Sequence, residues 1–179
     1  MAGEQVQGLV ARCRCGQVAI ETVGKPIVTA ACYCASCQEA GRQFADLPGA
    51  SPVLNDDGGT GYVLFRKDRV HPLKGAGLLR EYRLNPRTKT RRFGATCCST
   101  PMFVEFTAGH WLTFYKARFP PESRPPLEMR VMTKDRSAGV ELDDSVPNYA
   151  KHSGRFMLKL LGAWVAMGFR TPKIDFAGK

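Results

Sequence analysis

The chain lacks a long apolar run. Its longest, "FMLKLLGAWVAMGF" from Phe156 to Phe169, is fourteen residues broken by Lys159, short of the roughly 20 that cross a bilayer. No transmembrane segment is therefore expected. The N-terminal "MAGEQVQGLVARCRCG" has no basic region followed by an apolar one. This argues against a secretory signal and for the cytoplasm, where thiols stay reduced. No internal repeat and no Ser-His-Asp arrangement is evident, and the three histidines, His71, His110 and His152, are scattered. His110, before Trp111 at a strand start, reads as a loop or core histidine, with approach to a metal as the alternative. The carboxylates form no catalytic pair; Asp56 and Asp57 sit in "NDDGGTG", where turn formation accounts for them. Acid is scarce overall, with 16 Asp and Glu against 26 Lys and Arg and a net charge of +10. Ten of those basic residues lie between Arg66 and Arg92, facing only Asp68 and Glu81. Such a balance draws anions, but without a nucleic-acid motif or a basic tail, nucleic acid is not the expected partner.

What the sequence has is β texture. "GLVARC" and "QVAIETV" flank Cys-Arg-Cys-Gly and predict a hairpin with cysteines at its turn. "VTAACYC" is a third strand, and "ASCQEAGRQF" reads as one helical turn with a glycine stop. "YVLFR", "LLREYRL", "TRRFGAT", "MFVEF" and "WLTFYKARF" follow as aromatic and β-branched strands. This spacing predicts antiparallel folded sheets. After Phe119 the proline-rich "PPESRPP" reads as a connector and "LEMRVMT" as one more strand. Residues 155–167 favour helix. Met157, Leu160, Leu161 and Trp164 share a face at helical spacing, expected to pack on the sheet or on a second copy as a homodimer, with a membrane-surface helix as the alternative.

The cysteines carry the chemistry. Seven occur in three clusters: Cys13 and Cys15 in "RCRCG"; Cys32, Cys34 and Cys37 in "CYCASC"; and Cys97 and Cys98 in "TCCSTPM". A Cys-x-Cys disulfide is strained, and an odd count leaves one thiol over. Burial as small hydrophobes would explain one or two, not three clusters. Metal binding explains the grouping, since thiolates are soft ligands and zinc takes four tetrahedrally. A closed structural site uses four protein ligands, whereas a catalytic site keeps a position open.

With "RCRCGQVAIE", "CYCASCQEAGRQFA" and "CCSTPMF" in this order, the region from Gly8 to Phe106 resembles the glutathione-dependent formaldehyde-activating enzyme and centromere protein V family. The resemblance implies a mainly β, Mss4-like fold of antiparallel sheets with two zinc sites. To this the sequence adds a C-terminal helix. Residues 1–119 are then a zinc-binding β domain, and 120–179 a connector and helical extension packed on it. The resemblance further implies a structural zinc on Cys13, Cys15 and Cys98, and a second zinc on Cys32, Cys34 and Cys37 as the site of chemistry. In the family pattern the partner of Cys98 is a cysteine at position 95, which here is Ala95, and the glycine that follows Cys98 is Ser99. Adjacent residues of an extended strand point to opposite faces. Either the chain kinks so that Cys97 and Cys98 serve one ion, or Cys97 points elsewhere and closes the triplet site.

Three thiolates on zinc blunt its Lewis acidity but leave room for a substrate thiol. That suits carbon–sulfur lyase chemistry on a glutathione–aldehyde adduct or a related thiol compound. Arg42, Arg91 and Arg92 are the candidates for holding an anionic thiol. The competing reading is a non-enzymatic zinc-stabilised domain that binds a protein or nucleic-acid partner.

Overall fold

The computed structural model describes residues 8–174 and residue 176. The predicted N-terminal hairpin is present: β1 (Leu9–Arg12) pairs antiparallel with β2 (Ala19–Thr22), and Cys13 and Cys15 lie in the turn. With β5 (Val70–Lys74), a strand that the charged sequence around it concealed, they form a three-stranded sheet in the order β1-β2-β5. The larger sheet uses β3 (Val28–Cys32), β4 (Thr60–Arg66), β6 (Leu79–Tyr82), β7 (Thr90–Ala95), β8 (Thr100–Phe106), β9 (Trp111–Tyr115) and β10 (Met129–Val131), in the order β10-β3-β4-β9-β8-β7-β6.

The fold is mainly β, and one pairing departs from the antiparallel expectation. β10 runs parallel to β3, with Met129 opposite Ala30. Both β3 and β9 are antiparallel to β4, so they share a direction. A chain leaving β9 for a strand of that same direction cannot turn back in a hairpin; it must travel the length of the sheet. Residues 116–128, including the proline-rich connector, make that journey.

Alternation along the central strands creates two cores. Val63 and Phe65 of β4 and Leu112 and Phe114 of β9 face the first, with Ile20 of the small sheet, Phe93, Phe103 and Phe119. Phe93 and Phe103 stack across the β7–β8 ladder with centroids 4.7 Å apart. Tyr62, Leu64 and Tyr115 face the second core, under two helices.

The first helix, α1 (Ala35–Ala45), is longer than the single turn expected. Gly41 does not stop it. A Cβ at this position would lie 2.4 Å from Leu54 Cγ, so glycine permits close packing of the helix on the following loop. The second, α2 (Gly154–Ala166), is capped by Ser153, whose Oγ accepts from Phe156 N–H at 3.1 Å. Its buried stripe is Phe156 and Leu160, with Met167 just beyond. Leu160 therefore packs inward as expected, whereas Met157 and Leu161 face out. The buried face is centred one position away from the expected one because His110 and the second core meet the helix there. His110 Nε2 donates to Leu160 O at 2.9 Å, and its ring stacks on Trp164 at 5.8 Å. His110 is thus a core histidine that docks α2. No helix among the described residues is long and apolar enough to cross a membrane.

Candidate metal centres and the adjoining cavity

Two turns from different sheets bring four thiols together. The β1–β2 turn supplies Cys13 and Cys15, and the β7–β8 turn supplies Cys97 and Cys98. Gly16 at φ +74° closes the first turn, and Ser99 at φ +51° closes the second. Ser99 occupies the left-handed region where a glycine would be at ease. This kink answers the question posed by adjacent cysteines. Residues 96–99 form a turn and not a strand, so both sulfurs reach the same point. Sγ separations are 3.6 Å for Cys13–Cys15, 3.4 Å for Cys15–Cys97, and 3.8 Å for both Cys13–Cys97 and Cys97–Cys98. A tetrahedron with zinc–sulfur bonds of about 2.3 Å has edges of about 3.8 Å. The donor set therefore fits a four-thiolate ion. Cys97 joins the set implied by the resemblance and does not close the triplet. Ala95 is buried in the first core.

Burial raises the Cys13 and Cys97 thiols, while polar groups reach Cys13 and Cys98. Val18 N–H donates to Cys13 Sγ at 3.2 Å, and Thr100 Oγ1 lies 3.0 Å from Cys98 Sγ. Burial raises the Cys98 thiol, but hydrogen bonds from the Thr100 hydroxyl and from the Cys15 backbone outweigh it and bring the thiol down to about 6.

The second cluster forms at the junction of β3 and α1. Cys32 ends the strand, Cys34 is the helix N-cap, and Cys37 lies in the first turn. The three ligand atoms lie within 4.8 Å of one another, and no fourth His, Cys, Asp or Glu joins them among the described residues. Hydrogen bonds from Cys32 and then Cys37, with backbone N–H groups of Cys37 and Ser36, hold the Cys34 thiol well below its usual range. The helix N-terminus thus prepares a thiolate where a cation would sit. Cys32 is pushed up by the hydrogen bonds it gives to Cys34 and Cys37 and by burial. Tyr62 Oη donates to Cys37 Sγ at 3.4 Å.

The triplet borders a cavity of about 330 Å³, walled also by Tyr62, Arg92, Trp111, His152 and Phe156. Arg92 is only 2 % exposed. Its Nη2 donates to Ser36 Oγ at 2.8 Å and Ser36 O at 3.2 Å, while Nε and Nη1 have no partner among the described residues. Its neighbour Arg91 points to the opposite face of β7, where it pairs with Glu105 and, at 3.1 Å, with Glu81. Arg42 sits on the outer side of α1, 60 % exposed, pairing with Glu39 at 2.9 Å. Of the three arginines singled out from sequence, only Arg92 lines the cavity. A larger cavity of about 720 Å³ lies beside Arg91 and residues 171–174. It contains no thiol, and Lys67 and Glu105 form a buried pair in it at 2.6 Å.

Tyr62, Trp111 and His152 carried no sequence signal for this site. Tyr62 comes from the middle of β4, Trp111 from the start of β9 and His152 from the loop before α2, each distant in the chain from the triplet. The β4 alternation that turns Val63 and Phe65 to one core turns Tyr62 to the other, and that was the one clue available.

Residues 8–47 match the family of the glutathione-dependent formaldehyde-activating enzyme. The match spans the β1–β2 hairpin, β3, the triplet and α1, and so contains five of the seven cysteines. The crystal structure of a Rhodobacter sphaeroides protein superposes with a TM-score of 0.45 at 16% identity, covering 78% of this chain and 99% of that one. No curated protein sequence matches the chain.

Proposed function

We propose that both cysteine clusters hold zinc, and that the triplet site makes or breaks the carbon–sulfur bond of an adduct between a small anionic thiol of the glutathione type and an aldehyde. The observation that carries this reading is the asymmetry of the clusters. Four thiols surround one point, whereas three border a cavity whose wall includes the buried Arg92. When bound by Cys32, Cys34 and Cys37, zinc supplies one remaining position at which a substrate thiol is held as thiolate.

The chain's own residues do the rest. Ser36 anchors Arg92 through Nη2 at the cavity wall, where its positive charge attracts a carboxylate of the thiol compound. Trp111 and Phe156 wall the cavity and exclude water from the reacting carbon. Tyr62 keeps Cys37 in place. In the adduct-forming direction the substrate sulfur attacks the aldehyde carbon and the carbon–sulfur bond forms. The carbonyl electron pair moves to oxygen, which takes a proton. His152, on the cavity wall, takes the proton that the substrate thiol loses and passes it to that oxygen, and the reverse reaction returns it to sulfur. A reducing compartment such as the cytoplasm suits the reading, because the ligands must be thiolates.

The test is metal content and sulfur coordination by X-ray absorption, followed by titration with glutathione. The expected result is one ion per cluster, one with four protein sulfurs and one with three, the latter changing its spectrum as glutathione binds. Arg92→Ala should weaken that binding by roughly tenfold to a hundredfold, the worth of a charge-assisted contact. Four protein ligands on both ions and no response to thiols would overturn the lyase reading and leave a zinc-stabilised binding domain.

A further inference from the structure

The outer face of α2 is apolar and uncovered. Leu158 is 67% exposed, Met157 54%, Val165 52% and Leu161 48%, with Trp164 at the edge. Leu158, Leu161 and Val165 follow one another at i, i+3 and i+7, so they form one stripe, opposite the buried Phe156, Leu160 and Met167. The helix ends in a left-handed turn at Gly168, with Gly168 N–H bonded to Val165 O at 2.8 Å and Phe169 N–H to Trp164 O at 3.0 Å. Phe169 itself takes φ +59°, a strained conformation for a bulky residue. Its ring, 59% exposed, lies against Trp164 and extends the apolar face past the helix end.

The charges carried by the helix and its immediate flanks are of one sign. Residues 145–174 contain Lys151, Arg155, Lys159, Arg170 and Lys173 and no Asp or Glu. Lys159 is paired with Glu128; the other four are exposed. This bears on what covers the face. A second copy docked antiparallel would set Lys151 and Arg155 beside the partner's basic end, and a parallel copy would set each basic residue beside its own equivalent. Both the antiparallel and the parallel two-fold pairing of this helix bring like charges together. An apolar stripe with a tryptophan at its edge and a predominantly basic rim fits a surface that is apolar inside and anionic at its boundary.

We propose that α2 is an interfacial helix that lays Leu158, Leu161, Val165 and Phe169 into the headgroup boundary of an anionic lipid membrane, with Arg155 and Arg170 on the headgroups. At 13 residues the helix lies in the surface and does not span it. The proposal is independent of the chemistry at the triplet.

The test is flotation of the full chain with vesicles of phosphatidylcholine alone and with about one third phosphatidylserine, together with tryptophan emission. Binding should favour the anionic vesicles by roughly tenfold or more, with a blue shift that Trp164→Phe removes. Leu158→Asp/Leu161→Asp and Arg155→Gln/Arg170→Gln should each lose roughly tenfold of that binding, with unchanged circular dichroism because all four residues are solvent-facing. Three results would overturn it. One is equal binding to both vesicles. Another is anionic binding that survives Leu158→Asp/Leu161→Asp, which would reflect net charge alone. The third is a dimer in lipid-free solution, or an acidic protein partner, that the same double variant releases.

Discussion

At the scale of single residues, the most informative position is Ser99. Its left-handed backbone lets two neighbouring cysteines share one point in space, at a cost of about 1–2 kcal/mol for a residue with a Cβ. Glycine would remove that strain and add back about 0.5–1 kcal/mol of chain entropy. Ser99→Gly should therefore stabilise the metal-loaded protein by about 0.5 kcal/mol, seen as a higher urea midpoint. Ser99→Val should lower the midpoint and weaken metal retention. The cysteines also divide by role. Cys15→Ser should reduce thermal stability with little effect on thiol binding at the triplet, and Cys34→Ser should do the reverse. Equal effects of the two substitutions on both readouts would mean that the two clusters do not act separately.

At the scale of elements, α2 is held to the sheet by a few identifiable contacts. Ser153→Ala removes the N-cap and should cost about 1 kcal/mol. His110 adds a pH dependence. Burial is the main cause holding its imidazole below the usual value, and Lys67 and Arg66 add to the shift. The folded state therefore prefers the neutral ring. The stability this residue contributes is whole above the ordinary histidine value of about 6.5 and is lost as pH falls from there toward the depressed folded value. Hydrogen exchange of the α2 amides should speed up between pH 7 and about pH 5, and His110→Gln should flatten that response.

At the scale of the whole molecule, the four-thiol cluster joins the hairpin of the small sheet to the β7–β8 turn of the large one. It ties together the two layers that enclose the first core. Structural zinc in such sites contributes about 10–16 kcal/mol of apparent binding energy, as large as the whole stability of a typical domain. Chelation should therefore loosen the packing of the small sheet on the large one, and near-ultraviolet circular dichroism should report it. The triplet lies at one strand–helix junction and ties no layers together. Emptying that site alone, as in Cys34→Ser, should leave the near-ultraviolet spectrum intact.

Local pattern determined much of this architecture. Alternation along residues such as Val63 and Phe65, and turn residues between short apolar runs, specify strands from neighbours alone. The clustering of thiols pointed to metal because three soft ligands within six residues suit one ion better than a strained disulfide or scattered burial. The fate of Cys97, the parallel docking of β10, the selection of Arg92 over Arg91 and Arg42, and the outward turn of Leu161 were decided only in three dimensions. Each depends on contacts between segments far apart in the chain. Arg91 and Arg92 are chemically the same side chain one residue apart. The sheet puts one against Glu105 and the other against Ser36 beside the triplet, and no local rule could have told them apart.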